Sequence, residues 1–63
     1  MKNFRPGTQI WARSWSGKWW PAEVVECDIF VVVVRWIGEG TTERVFNANT
    51  RTPDEHASAL LIQ

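Results

Sequence analysis

The sequence has little of what several functional classes need. Among its 63 residues there is no tyrosine, one cysteine and one histidine, and the basic and acidic side chains balance to a formal net charge of zero. The lone Cys27 excludes an intrachain disulfide, and with His56 it offers too few ligands for a structural zinc site, which needs about four. Zero net charge argues against a protein that binds nucleic acid by electrostatics alone.

Long hydrophobic runs are also missing. The longest unbroken apolar run, residues 29–34, is far shorter than the roughly 20 residues that span a bilayer. Residues 1–6 contain no apolar segment of the kind found in a signal peptide. We therefore expect one small soluble domain over residues 1–63, in a reducing compartment, either as a monomer or as a module of a larger protein.

The residue types that support catalysis do not occur in a productive pattern. No glycine-rich phosphate loop is present. Cys27 and His56 have no third group to orient them as a nucleophile and base, and the carboxylates Glu23 and Glu26 are explained by solvation on a strand surface. We predict that the chain is not an enzyme and uses neither a cofactor nor a metal.

The sequence is rich in tryptophan, and its basic and acidic residues are unevenly distributed along the chain. Five tryptophans are too many for the thin core of so short a chain, so we expect some at a binding surface. The first 22 residues carry four basic side chains and no acidic one, whereas the remainder carries three basic against seven acidic. The two halves of the chain therefore differ in the sign of their charge.

Alternating and β-branched residues predict four strands, at Gln9–Arg13, Trp19–Cys27, 29–37 and 41–46. Pro21 lacks a backbone N–H, so its end of the second strand should lie at a sheet edge or a bulge. The third strand is apolar on both faces, as in a central strand of a small closed barrel. We predict a mainly β fold, a bent SH3-like barrel of four to five strands.

A short C-terminal helix should follow a loop at residues 47–51. Thr52 can cap it, Pro53 suits its first position, and Glu55 completes a capping box, so we place the helix at about 53–61. Ala57, Leu60 and Leu61 have helical spacing and should face one side of the barrel.

Residues 7–46 resemble a PWWP domain of the Royal superfamily. The resemblance lies in a strand that opens at Gly7 and ends in Trp-Ala-Arg, in Trp-Trp-Pro-Ala at 19–22, and in an aromatic residue before Gly-Glu at 36–39. The family's first proline is Lys18 here. The short hairpin at Asp28 is more similar to Tudor and chromo-barrel domains, so the resemblance is to the superfamily as a whole.

The resemblance implies a chromatin reader that holds a methylated lysine of a histone tail in an aromatic cage, where indole faces attract the ammonium charge. Trp20 corresponds to the cage tryptophan of strand two, and Trp36 to the cage aromatic that ends strand three. The third wall would fall at Ser14, which is not aromatic. We therefore expect Trp15 to replace it, with Trp11 as second choice.

The resemblance also implies a nuclear location and weak DNA contact. Glu39 is a further candidate to meet the ammonium or the peptide backbone. The candidates for contact with DNA phosphates are the basic residues of the N-terminal third, Lys2, Arg5, Arg13 and Lys18.

Each of these assignments has a structural alternative. Trp36 shares a face with Val32 and Val34, so it can belong to the core, and Trp15 can simply be exposed. Arg13 and Lys18 can be solvated surface charges. The remaining aromatic and reactive side chains are read as structural or solvated, with Trp19 packed, Cys27 an apolar filler and His56 exposed to solvent.

Two other functions remain open from the sequence. The first is a small nucleic-acid-binding barrel whose tryptophans stack on bases. The second is a barrel that binds a peptide without regard to lysine methylation.

Overall fold

The computed structural model describes residues 2–62, so the ends of the predicted domain, Met1 and Gln63, lie outside the described residues. Within this range five antiparallel strands form one sheet in the order β4-β3-β2-β1-β5. They are followed by a C-terminal helix, which confirms the mainly β fold. The elements are β1 (Gln9–Arg13), β2 (Trp19–Cys27), β3 (Val31–Trp36), β4 (Thr42–Phe46), a 3-10 turn (Asn47–Asn49), β5 (Thr50–Arg51) and α1 (Pro53–Ile62).

The strands follow the predicted positions closely. β1 and β2 begin and end where expected, and β4 begins one residue late. β3 is shorter than predicted because Ile29 and Phe30 lie in the bend before it, where both side chains are exposed. The segment 47–51, predicted as a loop, contains the 3-10 turn and β5, which pairs with β1.

The sheet is not closed into a barrel, and β4 and β5 are its edges within residues 2–62. β2 has a neighbour on each side and its bulge lies at Val25, so the prediction that Pro21 marks a sheet edge or a bulge is wrong. The Pro21 carbonyl accepts a hydrogen bond from the Ile37 N–H at 3.1 Å, which shows that this residue faces the β3 side. Pro21 and Ile37 therefore share one backbone hydrogen bond instead of two, and the Ile37 carbonyl oxygen accepts from the Trp20 Nε1–H instead.

One face of the sheet is the core. A shift in register between Val24 and Glu26 inserts one extra residue, Val25, into β2. Such a bulge reverses the alternation of side chains, so Cys27 returns to the core face although it lies three positions after Val24. The buried apolar residues are Ile10, Ala12, Ala22, Val24, Val32, Val34, Trp36 and Val45.

The capping box predicted for α1 is present. Thr52 N–H donates to Glu55 Oε1 at 2.8 Å, and Glu55 N–H donates to Thr52 Oγ1 at 3.1 Å. In the described residues no helix is long and apolar enough to cross a membrane.

The helix does not use its apolar residues to reach the sheet. Leu60 and Leu61 are exposed, which contradicts the expected packing of that face, and His56, expected in solvent, is 8% exposed. The His56 ring stacks on Trp11 of β1, with ring centroids 4.0 Å apart and planes 15° from parallel. Arg51 Nη1 donates to His56 Nδ1 at 3.2 Å, because a guanidinium can only donate. His56 therefore anchors the helix to β1 and β5.

We predict that the capping box makes stability depend on pH. The Thr52 N–H bond to the carboxylate holds the pKa of Glu55 below its usual value of 4.5, with a smaller contribution from Lys2. A lowered pKa means that this stabilisation is complete above pH 4.5 and is lost as the pH falls through the folded-state pKa. Because Glu55 is exposed, we expect less than about 1 kcal/mol. Chemical unfolding of the wild type and of Glu55→Gln, which keeps a hydrogen-bond acceptor but does not titrate, measures this effect. The free energy of unfolding should be higher for the wild type above pH 4.5, and the difference should shrink as the pH falls. A difference that stays constant with pH would contradict the prediction.

We also predict that His56→Ala destabilises the fold by about 1–2 kcal/mol, because it removes a buried aromatic stack and its hydrogen bond. Urea unfolding followed by tryptophan fluorescence measures this. Ser58→Ala, an exposed change on the same helix, is the control and should be close to neutral. Equal unfolding midpoints for the two variants would show that His56 does not anchor the helix.

Candidate functional site

A pocket of about 280 Å³ opens where β2 begins and β3 ends. Trp20 and Trp36, the two tryptophans that the resemblance assigns to the cage, both line this pocket. Its lining comes from the β1–β2 loop, β2, β3, the β3–β4 turn and β4, and consists of Ser14, Ser16, Lys18, Trp20, Trp36, Glu39 and Glu43.

The register of the sheet explains why the two indoles share this pocket. Ala12 lies opposite Trp20, and Ala22 lies opposite Trp36. Trp20 and Ala22 are two residues apart on β2 and so point to the same face, which makes the tryptophans diagonal neighbours across the pair of strands. A small residue opposite each indole leaves room for both rings on the inner face.

Trp20 is the accessible wall of the pocket. Its side chain is 53% exposed, and its Nε1–H donates to the Ile37 carbonyl oxygen at 3.1 Å. This bond satisfies the polar atom of the indole and holds the ring at the rim, where its face remains free to meet a ligand.

Trp36 is both a core residue and a wall. It is only 6% exposed, and its Nε1–H donates to Glu43 Oε1 at 3.1 Å. The alternative interpretation, that Trp36 belongs to the core, is therefore correct in part. Most of the ring packs in the core, and one surface of it lines the pocket. Glu43 lies opposite Val34 in the β3–β4 register, on the inner face, so its carboxylate reaches the indole.

The turn between β3 and β4 supplies a second carboxylate. Gly38 and Gly40 flank Glu39 with φ of +100° and +77°, values that favour glycine, so the turn depends on both. Glu39 Oε2 accepts a hydrogen bond from Thr41 Oγ1 at 2.9 Å. Each of the two carboxylates thus has one oxygen bonded, and no donor from residues 2–62 reaches the other.

The charge of the pocket favours a cation. Glu39 and Glu43 each bring one negative charge and Lys18 brings one positive charge, which leaves a net charge of −1 on the lining residues. Neither carboxylate has an ion-pair partner within the described residues, where the ion pairs are Lys2–Glu55 and Arg35–Glu23. A ligand ammonium can therefore approach indole faces and carboxylate oxygens together.

The two candidates for the third wall are elsewhere. Trp15 is 95% exposed on the β1–β2 loop and does not line this pocket. Trp11 points to the outer face of the sheet, where it stacks on His56. The position of the third wall is filled by Ser14, so the pocket has two indoles and two carboxylates rather than three aromatic walls.

The four basic residues predicted to contact DNA differ in their surroundings. The Lys2 ammonium donates to the Thr50 carbonyl and lies 3.6 Å from Glu55 Oε1. Lys18 directly precedes β2 and lines the pocket. Arg5 is exposed, and Arg13 Nη2 donates to Asn49 Oδ1 at 2.7 Å.

A second aromatic group lies on the outer face, but it is covered. The Arg51 guanidinium lies 3.8 Å from the centroid of the Trp19 ring, and the Arg13 guanidinium lies at 5.5 Å. His56 covers Trp11 as described above. These contacts tie β1, β2, β5 and α1 together, and they agree with the expectation that Trp19 is a packing residue.

The sequence reasoning missed Glu43. The signal was present, since alternation within residues 41–46 places Glu43 on the same face as Val45 and therefore toward the interior. No group of three or more potential metal ligands occurs among residues 2–62. What the pocket offers chemically is attraction for a small organic cation.

Among known proteins, no family model and no curated protein matches this chain. The resemblance to PWWP and Tudor domains therefore rests only on the residues quoted from the sequence.

We predict that the bond between Trp36 and Glu43 stabilises the fold. Glu43→Ala would leave the buried Nε1–H without an acceptor, at a cost of about 1–3 kcal/mol, whereas Glu43→Gln keeps an oxygen there and should cost less. Urea unfolding measures both. Glu39→Ala is the matched control, because it removes a carboxylate from the same pocket without exposing a buried donor. If Glu43→Ala and Glu39→Ala unfold at the same urea concentration, the bond does not contribute.

Proposed function

We propose that this chain is a non-catalytic binding module whose pocket accepts the methylated ammonium of a lysine in a histone tail. The observation that carries the proposal is the convergence of Trp20 and Trp36 on one open pocket that also holds two carboxylates. The histone tail as the source of the lysine, and the nuclear location that follows, come from the resemblance to PWWP and Tudor domains.

The expected affinity is low. Each indole contact with a partly desolvated ammonium contributes about 0.5–2 kcal/mol, and a hydrogen bond to a charged group about 1.5–3 kcal/mol. Two indoles and one such bond therefore support a dissociation constant on the order of millimolar for the ammonium alone. Tighter binding has to come from the peptide on either side of the lysine.

The makeup of the pocket favours a lysine that is methylated but keeps an N–H. A trimethylammonium has no proton to donate, whereas a dimethylammonium donates one to the free oxygen of Glu39 or Glu43. An unmodified ammonium is more strongly hydrated, so it loses more on entering a pocket walled by two indoles. Dimethyl-lysine keeps one N–H to donate and is less hydrated than unmodified lysine, so we expect it to bind most tightly.

DNA contact has weaker support as part of this function. Arg13 and Lys18 lie at the two ends of the β1–β2 loop beside the pocket, whereas the Lys2 ammonium is engaged with the Thr50 carbonyl and with Glu55. A nucleic-acid-binding barrel whose tryptophans stack on bases has two exposed indoles to act with, Trp15 on the β1–β2 loop and Trp20 at the pocket.

We predict that Nα-acetyl-dimethyl-lysine amide, a ligand small enough to occupy the pocket alone, binds in a titration followed by amide chemical shifts. The largest shifts should fall on Trp20, Trp36 and Glu39. Affinity should decrease a few-fold for the trimethyl form and further for unmodified lysine, because the first loses a hydrogen bond and the second is more hydrated.

Trp20→Ala should reduce this affinity by about 2- to 30-fold, since it removes one of the two indole faces and its contribution of about 0.5–2 kcal/mol. Trp15→Ala is the matched control, an equally large aromatic deletion outside the pocket, and should leave the affinity unchanged. Equal binding of all methylation states, or equal loss in both variants, would overturn the proposal.

A further inference from the structure

Among residues 2–62, the outer edge of β4 presents backbone groups that have no strand beside them. Trp36 N–H donates to the Thr41 carbonyl and Asn47 N–H donates to the Phe30 carbonyl, both at 2.8 Å, so Thr41 and Asn47 face β3. The register between these points is regular. Because backbone groups alternate along a strand, those that point away from β3 belong to Thr42, Arg44 and Phe46.

This edge borders a groove. Between β4 and the β1–β2 loop lies a cavity of about 400 Å³. β1 and β4 are separated by two strands in the sheet order, so the sheet must curl to bring both to one groove, and the groove is the gap that the curled sheet leaves open. Its lining includes Arg13, Trp15, Arg44, Phe46 and Asn49.

The groove is basic, unlike the pocket beside it. Arg13 and Arg44 both line it, and within residues 2–62 neither guanidinium has a carboxylate within ion-pair distance. Glu43 lines both the groove and the ammonium pocket, and one of its oxygens is bonded to Trp36. The guanidinium groups of Arg44 on β4 and Arg13 on β1 therefore complement a ligand that carries carboxylates.

We infer that the groove binds an extended acidic peptide, which adds to β4 as a sixth strand. Its backbone would exchange hydrogen bonds with Thr42, Arg44 and Phe46, as in strand addition at other sheet edges. Carboxylates at alternate positions would lie on one side of the added strand, toward the arginines, and the exposed indole of Trp15 would cover the chain. This inference does not depend on the ammonium pocket.

The probe is a capped hexapeptide, acetylated and amidated, in which aspartate alternates with valine. It contains no lysine, so the result is separate from that of the proposed function. Hydrogen exchange followed by NMR should show the Thr42, Arg44 and Phe46 amides slowed at least about tenfold at saturation, since they become paired in a ladder. Binding without slower exchange of these three amides would overturn strand addition.

Three comparisons test the chemistry of the groove. Arg44→Glu should weaken the hexapeptide at least about tenfold, because it reverses one of two attractive charges, whereas Arg5→Glu, an equal change at an exposed site outside the groove, should have little effect. The same peptide with lysine in place of aspartate should not bind. If an oligothymidylate competes for the groove and binds more tightly than the hexapeptide, the groove is a nucleic-acid site and the inference is wrong.

Discussion

The site depends on the register between β2 and β3. Because Ala22 lies opposite Trp36 and Ala12 lies opposite Trp20, each indole on the inner face has a methyl group across from it rather than a second large side chain. A shift of one residue would turn Trp20 to the outer face and break the cleft, since side chains alternate strictly along a strand. Pro21 fits this register because the Ile37 carbonyl oxygen, which lies opposite its missing N–H, accepts a hydrogen bond from the Trp20 indole instead.

The same register lets Trp36 belong to the core and to the pocket. Its ring packs with the buried valines of β3 and β4, and its one polar atom is satisfied by Glu43, which alternation on β4 also turns inward. A carboxylate that serves the fold thus stands at the wall of a pocket with a net negative charge. Glu43 therefore contributes both to the stability of the fold and to the attraction of the pocket for a cation.

An open sheet gives the chain a second kind of surface. Closure would have paired the outward backbone groups of β4, whereas the curled sheet leaves them beside a groove that holds Arg13 and Arg44. The acidic pocket and the basic groove meet at Ser14 and Glu43, which line both. A free edge invites unwanted pairing, and charged side chains on β4 limit it.

The sequence alone determined those features of the fold that depend on residues close together along the chain. The bounds of β1 and β2 follow from alternation over a few residues, and the start of α1 follows from Thr52 and Glu55, whose bonds span three positions. Tertiary structure decided whatever depends on residues far apart. It buried His56 rather than the helix leucines, removed Trp15 from the pocket and left the outward edge of β4 without a neighbouring strand among residues 2–62. These outcomes follow from strand register and sheet curvature, because both are set by packing between segments whose relative placement no local pattern encodes.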